Sequence, residues 1–143
     1  RSSTENVHSI LGMEKALQLS SESLNEDMTH MNSLKEYFIS ELKKINSDIQ
    51  FNGNSSDLSR SSCTILNVLF PIKNSMFLFS LDLHGIAVSG GSACQSGSNQ
   101  GSHVLSEILD EDKEELTSVR FSFSRTTVKE DLDYTLEKIK ELL

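Results

Sequence analysis

Cys94 is the first side chain in this sequence with a type and a setting suited to chemistry. It stands in Ser89–Leu105, "SGGSACQSGSNQGSHVL", a run of seventeen residues made mostly of Gly, Ser, Asn and Gln. Such a run has little to bury, which predicts a mobile loop. A thiol reacts as its thiolate, and exposure favours reactivity. No Lys, Arg or His adjoins Cys94, so two interpretations stay open: a reactive group on a flexible arm, or an ordinary loop cysteine.

Arg120 is the second candidate. It lies in "TSVRFSFS", residues 117–124, where Val119, Phe121 and Phe123 alternate with polar side chains. This period of two predicts a strand with one buried face and with Arg120 on the polar face. A guanidinium group binds a carboxylate through two parallel hydrogen bonds. A surface salt bridge to a nearby acidic residue is the alternative function of Arg120.

Thr4 is the third candidate, in the opening "RSSTEN". With Asn6 it can cap the first helix, and a hydroxyl beside a helix N-terminus can also bind a phosphate oxygen. Cys63, by contrast, opens an apolar strand and is predicted to be a small buried hydrophobe.

The elements that must position these side chains alternate between helices and short strands. Apolar steps of three and four predict helix from about Glu5 to Ile45, with a division around Ser20–Asp27 as an open alternative. The later elements are a short strand at 48–51, a strand at 63–70, a helix from Asn74 or Ser75 to Gly85, a brief strand before the loop, a helix at 102–109 with Ser102 as N-cap, a strand at 117–124, and a last helix carrying Leu132, Leu136, Ile139 and Leu143. This order predicts an α+β fold, with helices packed on a small antiparallel or mixed sheet.

Length and charge bound the function. The chain has 143 residues, enough for one domain, and a net charge of −8 from 21 acidic and 13 basic residues. This balance argues against a nucleic-acid partner, which requires clustered Lys and Arg. No apolar run reaches the roughly 18 residues of a membrane span, and the N-terminus lacks a secretory pattern. Two cysteines are too few for a disulfide framework, so we expect a reducing, cytoplasmic setting, no membrane partner and no metal site.

Three segments together resemble the cysteine desulfurases, pyridoxal-phosphate enzymes of the class-V aminotransferases. They are "RSSTENVHSILGMEKAL", "VSGGSACQSGSNQGSHVL" and "VRFSFSRTTVKEDLDYTLEKIKEL", in that order and spacing. The resemblance covers the whole chain but corresponds to the C-terminal third or so of that family. It implies that residues 1–143 form a single small C-terminal domain, that the large domain that binds the cofactor lies outside this chain, and that two full-length subunits form a homodimer.

The resemblance also implies roles for the three candidates. Cys94 matches the nucleophile that takes sulfur from L-cysteine, leaves L-alanine, and carries the sulfur as a persulfide to an acceptor such as an iron–sulfur scaffold protein. Arg120 matches the arginine that holds the substrate carboxylate. Thr4 matches the threonine that contacts the cofactor phosphate of the partner subunit. A floppy, polar tether suits a cysteine that must visit both substrate and acceptor.

The family's cofactor lysine follows a histidine, and this sequence contains no His-Lys pair. The chain alone is therefore expected to be inactive. Selenocysteine lyase and other class-V aminotransferases are the alternative enzymes, and a sulfur-carrier or docking module without cofactor is the alternative outside enzymes.

Overall fold

The computed structural model describes residues 4–90, 102–110 and 112–143. Seven elements follow one another along these residues, and they confirm the predicted α+β class. They are α1 (Val7–Ile45), β1 (Gln50–Phe51), β2 (Ile65–Phe70), α2 (Phe77–Leu83), α3 (His103–Ser106), β3 (Thr117–Ser122) and α4 (Lys129–Leu142).

The three strands form one antiparallel sheet in the order β1-β2-β3. The long pairing runs from Ile65 opposite Ser122 to Phe70 opposite Thr117. Successive side chains on a strand point to opposite faces, so this register sorts the sheet into two faces. One face carries Leu66, Val68, Phe70, Val119 and Phe121, all of which are buried. The predicted burial of alternate residues on β3 is confirmed.

The core lies between this apolar face and the helices α1 and α4. Phe38 on α1 is completely buried, and its ring meets the rings of Phe121 and Phe123 edge-on at centroid distances of 5.0 and 6.1 Å. Edge-to-face geometry is favourable for aromatic pairs. On α4, Leu132 and Ile139 contribute to the same cluster. Phe38 therefore joins the long helix to the strand that carries Arg120.

The first helix is continuous for 39 residues and is not divided around Ser20–Asp27. Serine in a helix can compete with the backbone ladder through its hydroxyl. Here Ser23 Oγ lies 3.1 Å from the carbonyl oxygen of Leu19 and 2.7 Å from Oδ2 of Asp27, so its hydrogen bonds stay within the helix. The polar stretch therefore does not end the helix.

At the N-terminus of α1, Asn6 accepts a hydrogen bond from Ser9 N at 3.3 Å, so Asn6 and not Thr4 is the cap.

The N-terminal half of α1 carries an exposed stripe of apolar side chains. At about 100° per residue, these side chains lie on the same side of the helix as the buried Met31, Phe38 and Leu42. The stripe therefore continues the core-facing line beyond the sheet. Between 43% and 71% of each side chain is exposed. The members of this exposed stripe are Ile10, Met13, Leu17, Leu24 and Met28.

The shorter helices differ from the predictions at their ends. The α2 helix begins at Phe77, with Met76 as N-cap and no capping side chain, because Asn74 Oδ1 accepts from Met76 N at 3.0 Å in a turn before the helix. Gly85, at a φ of +75°, follows the helix as predicted. Ser102 caps α3 through a hydrogen bond from Leu105 N, but α3 ends after four residues. In the part of the chain that the structure describes, no helix is both long enough and apolar enough to span a membrane.

Candidate active site

Arg120 lies on the second, more polar face of the sheet, as the alternation on β3 predicts. It pairs with Asn67 of β2 on one side and with Ser89 on the other. Residues directly opposite each other in antiparallel pairs direct their side chains to the same face. The three polar side chains therefore form a row across three adjacent segments, with Arg120 in the middle.

The pairing of Ser89 with Arg120 uses both backbone groups of each residue. Ser89 N donates to Arg120 O at 3.2 Å, and Arg120 N donates to Ser89 O at 2.7 Å. This is the hydrogen-bonded type of antiparallel pair, so Arg120 and Asn67 form the other type, whose Cα atoms are closer, at about 4.5 Å. The predicted brief strand before the loop is thus a single bridge at Ser89. It fixes to β3 the segment that precedes residues 91–101.

A hydrogen-bonded cluster holds Asn67 in place. Nδ2 of Asn52 donates to Asn67 Oδ1 at 2.9 Å and lies 3.0 Å from Ser118 Oγ. Asn52 is buried, and its backbone N–H donates to the carbonyl of Asn67 at 3.0 Å. Asn52 thereby occupies the amide oxygen of Asn67 and directs its NH₂ group elsewhere. Side chains locked by such a second layer are well positioned to bind a ligand.

The Arg120 guanidinium forms neither a salt bridge nor a side-chain hydrogen bond with any residue in 4–90, 102–110 or 112–143. A surface salt bridge is the alternative function of Arg120. Within the described residues, the half-buried Arg120 has no acidic partner for such a bridge. Ser89 Oγ is a buried atom without a hydrogen-bond partner among the residues that the structure describes. Arg120 and Ser89 thus bring a charged donor and an unpaired hydroxyl to one face of the sheet.

Thr4 lies far from this row. It precedes α1, whose buried residues begin only at Met31, and the helix rises by about 1.5 Å per residue, or roughly 36 Å from Val7 to Met31. Thr4 is exposed, and its hydroxyl makes no hydrogen bond within the described part of the chain. The structure therefore does not bring Thr4 and Arg120 together within one chain.

The two cysteines have different settings. Cys94 falls in 91–101, outside the described residues, so its predicted role is not tested by the geometry. Cys63 precedes β2 and is a free thiol that packs against the core, but it is half-buried and not fully buried. Gly90 and Ser102, the described residues on either side of 91–101, help to line a cleft together with Leu78, Leu105, Thr117 and Ser118.

Lys35, which adjoins Leu34 of the apolar line of α1, is a fully buried charged residue. Its ammonium group donates to Ser61 Oγ and to the carbonyl of Ser62, both at 2.8 Å. Ser61 Oγ lies 2.6 Å from the carbonyl oxygen of Asp57. Burial lowers the pKa of Lys35 below its ordinary value, although the nearby Cys63 and Asp57 act in the opposite direction. Lys35 thus joins α1 to the segment between β1 and β2 through these hydrogen bonds.

Sequence comparison defines the class of protein to which this fold and this site belong. The aminotransferase class-V family matches residues 1–135, and the chain therefore belongs to that family. Within it, the chain is 38% identical over 144 aligned residues to "Cysteine desulfurase IscS" of Dictyoglomus turgidum and 37% identical over 142 to "Putative cysteine desulfurase IscS 1" of Bacillus subtilis. These alignments cover 100% and 98% of this chain but 36% and 35% of the two relatives, so the chain spans about a third of their length.

Solved structures show the same fold. A "NifS-like protein" superposes with a TM-score of 0.76 at 30% identity, and a NifS-like protein from Rickettsia africae superposes with a TM-score of 0.77 at 27% identity. Each comparison covers 99% of this chain and 35% or 36% of the other. The fold of the described residues is therefore that of one part of a NifS-like protein.

Sequence reasoning missed Asn67, Asn52 and Ser89 as neighbours of Arg120. The alternation in "CTILNVLF" contains a signal for Asn67, because a lone Asn in an apolar strand marks its polar face. Register decides which residue faces Arg120, however, and register is set by the pairing of strands distant in sequence. Ser89 carries no signal of its own among the other serines of its loop.

Proposed function

We propose that this chain is the single C-terminal domain, residues 1–143, of a pyridoxal-phosphate-dependent cysteine desulfurase. In this function the full-length enzyme removes sulfur from L-cysteine and releases L-alanine, while the sulfur stays as a persulfide on Cys94. The observation that carries the proposal is the bridge between Ser89 and Arg120. It places the segment that precedes Cys94 against the strand of a cationic side chain without an ionic partner in the described residues.

Arg120 binds the substrate carboxylate in this proposal. Its guanidinium group offers two parallel donors to a carboxylate, and no acidic residue of the described segments occupies them. The face around it is polar but holds no second cation from the paired strands, since its cross-strand neighbours are Asn67 and Ser89. This arrangement favours one carboxylate over a larger polyanion such as a nucleic acid, in agreement with the net charge of −8.

Cys94 takes the sulfur of the bound substrate. Its thiolate attacks the sulfur of L-cysteine, the new S–S bond forms, and the substrate C–S bond breaks with its electron pair left on carbon. That carbon takes up a proton and becomes the methyl group of L-alanine. The balance is one thiol plus L-cysteine giving one persulfide plus L-alanine, with no external oxidant. Bound pyridoxal phosphate supplies the electron sink that makes the C–S bond breakable.

The residues of this chain fit one part of a pyridoxal-phosphate site. The exposed hydroxyl of Thr4 is available to a phosphate oxygen, and it lies at the end of α1 that extends away from the sheet. The family resemblance implies that Thr4 contacts the cofactor phosphate of the partner subunit and that the enzyme is a homodimer, and the distance between Thr4 and Arg120 within one chain agrees with that proposal. The cofactor lysine is expected in the part of the enzyme outside this sequence, since this sequence has no His-Lys pair.

The persulfide then passes to an acceptor protein, for which we propose an iron–sulfur cluster scaffold in the cytoplasm. The relatives named IscS support the sulfur-transfer class of the reaction. An acceptor protein must approach Cys94 from solvent, and the small polar residues on both sides of Cys94 in the sequence favour such an approach.

The test is to give L-cysteine to the full-length protein loaded with pyridoxal phosphate and to measure L-alanine. We expect alanine to accumulate in the presence of a thiol acceptor, with Cys63→Ser retaining turnover and Cys94→Ser losing it. A thiolate is a far better nucleophile than a hydroxyl near neutral pH. Absence of alanine from the wild-type protein would overturn the proposed function. Turnover of L-selenocysteine by Cys94→Ser at the wild-type rate would indicate a selenocysteine lyase.

A further inference from the structure

We propose that Ser89 is a second binding residue for the substrate carboxylate, acting beside Arg120. The inference rests on the proposed function and adds to it the residue that completes the carboxylate site. It arises from two observations that are independent of each other. Ser89 pairs with Arg120, and the Ser89 hydroxyl has no hydrogen-bond partner within residues 4–90, 102–110 and 112–143.

The pairing places the two side chains on the same face. In a hydrogen-bonded antiparallel pair the two Cα atoms are about 5.5 Å apart, and the Cβ atoms lie at about the same separation. A carboxylate carries two oxygens with about four lone-pair sites, and the fork of one guanidinium fills only two of them. A hydroxyl one residue across from Arg120 is therefore placed to donate to a carboxylate that Arg120 already holds.

A hydrogen bond from the Ser89 hydroxyl to a bound carboxylate would be thermodynamically favourable. A buried polar atom without a partner destabilises the folded protein, because its hydrogen bonds to water are lost and not replaced. Ser89 Oγ is in this state, while Ser89 as a whole is half-buried. Rotation about χ1 moves the hydroxyl among three staggered positions. Because Ser89 is only half-buried, such a rotation can bring the hydroxyl from its buried position to the solvent-exposed side of the residue. A bound carboxylate then supplies the missing partner.

This state predicts opposite effects of Ser89→Ala on affinity and on stability. In the ligand-free full-length protein the variant unfolds at the same temperature as wild type or at a higher one, because an unsatisfied group is removed. Its affinity for a carboxylate ligand falls about tenfold or more, the effect of losing a hydrogen bond to a charged group. A merely structural serine would lower the unfolding temperature and leave carboxylate selectivity unchanged.

The experiment is calorimetric titration of the full-length protein, loaded with pyridoxal phosphate, with two ligands. L-Alanine has the amine and the carboxylate but no sulfur to transfer, and ethylamine is the same molecule without the carboxylate. We expect Ser89→Ala to weaken L-alanine binding about tenfold and to leave ethylamine binding unchanged. Ser122→Ala removes an exposed hydroxyl from the same face of the sheet, on β3 two residues after Arg120, and is the matched control, expected to change neither affinity.

The outcomes separate this inference from the function on which it rests. If Arg120→Lys reduces the preference for L-alanine over ethylamine and Ser89→Ala does not, Arg120 keeps its role and the inference about Ser89 is overturned. Equal weakening of both ligands by Ser89→Ala also overturns it. If neither wild type nor Arg120→Lys distinguishes the two ligands, the proposed function of Arg120 itself fails.

Discussion

At the scale of single residues, the position of Arg120 follows from the two faces of β3, of which one packs on the core and the other is polar. The strand needs apolar side chains at 119 and 121 for the core, and the intervening position is left for a side chain that works at the other face. In that position the guanidinium group meets no described acidic residue and stands between two neutral hydrogen-bonding residues. Such a cation keeps its capacity for an incoming carboxylate.

Arg120→Lys tests this role in the full-length enzyme. An ammonium group cannot reproduce the two parallel hydrogen bonds of a guanidinium group. We expect the KM for L-cysteine to rise by roughly ten- to a hundredfold, corresponding to about 1.5–3 kcal/mol for a charged hydrogen bond. The control is Arg125→Lys, at an exposed residue beyond the end of β3, which should leave KM unchanged. An unchanged KM in Arg120→Lys would contradict carboxylate binding by Arg120 and favour the alternative, a surface salt bridge.

Lys35 gives a pH-dependent prediction. Its folded-state pKa lies below the ordinary value of 10.5 because of burial, so between these two pKa values the unfolded chain binds more protons than the folded chain. Stability from this group therefore rises as pH increases through that window. We expect the difference in unfolding temperature between wild type and Lys35→Met to shift in favour of wild type as pH approaches about 10.5.

The pH dependence of that difference is the readout, since Lys35→Met also removes the bonds to Ser61 and Ser62 at every pH. Exposed lysines titrate in both proteins and cancel in the comparison. A difference that stays constant between neutral pH and 10.5, or that shifts toward Lys35→Met, would contradict a lowered pKa for Lys35.

At the scale of elements, the sequence predicts α1, α2, α3, β2 and β3, together with Gly85 after α2 and the Ser102 cap of α3. It does not predict the start of α2, the end of α3 or the register of the strands. The period-two pattern of "TSVRFSFS" is sufficient for β3 because hydrophobic burial alone decides the orientation of a strand on a core. The pattern of α1 is sufficient for a helix but ambiguous at its serines, whose hydroxyls are satisfied locally at Leu19 and Asp27. The row of Asn67, Arg120 and Ser89 depends on three segments that are distant in sequence, and no local pattern encodes it.

The junction of α1 with β3 gives the prediction at this scale. Phe38→Ala should destabilise the 143-residue chain by about 3–5 kcal/mol, because it empties a completely buried site between Phe121 and Phe123. Phe79→Ala, on α2 with 52% of the side chain exposed, should change stability far less. Denaturant unfolding measures both. Similar losses in the two variants would show that Phe38 is not part of the core junction.

At the scale of the whole molecule, the exposed stripe of α1 is an apolar surface that no described residue covers. A row of apolar side chains that continues the core line and reaches 71% exposure at Leu17 favours a further packing surface. The chain covers only about a third of its relatives' length. We propose that the large domain packs on this stripe.

Leu17→Asp tests that packing. We expect the substitution to lower the unfolding temperature of the full-length protein and to leave the stability of the 143-residue chain nearly unchanged, because Leu17 contacts the large domain only in the former. Leu19→Asp is the matched control: Leu19 is 45% exposed and lies about 200° around the helix from Leu17. Equal effects of both substitutions on the full-length protein would exclude the stripe as the interface.

One measurement tests directly whether Cys94 carries the sulfur. The full-length protein loaded with pyridoxal phosphate is exposed briefly to L-cysteine, and its intact mass is determined before digestion and mapping. We expect the addition of one sulfur atom, located on the peptide that contains Cys94, present in Cys63→Ser and absent from Cys94→Ser. Sulfur on Cys63, or sulfur uptake that survives in Cys94→Ser, would contradict it.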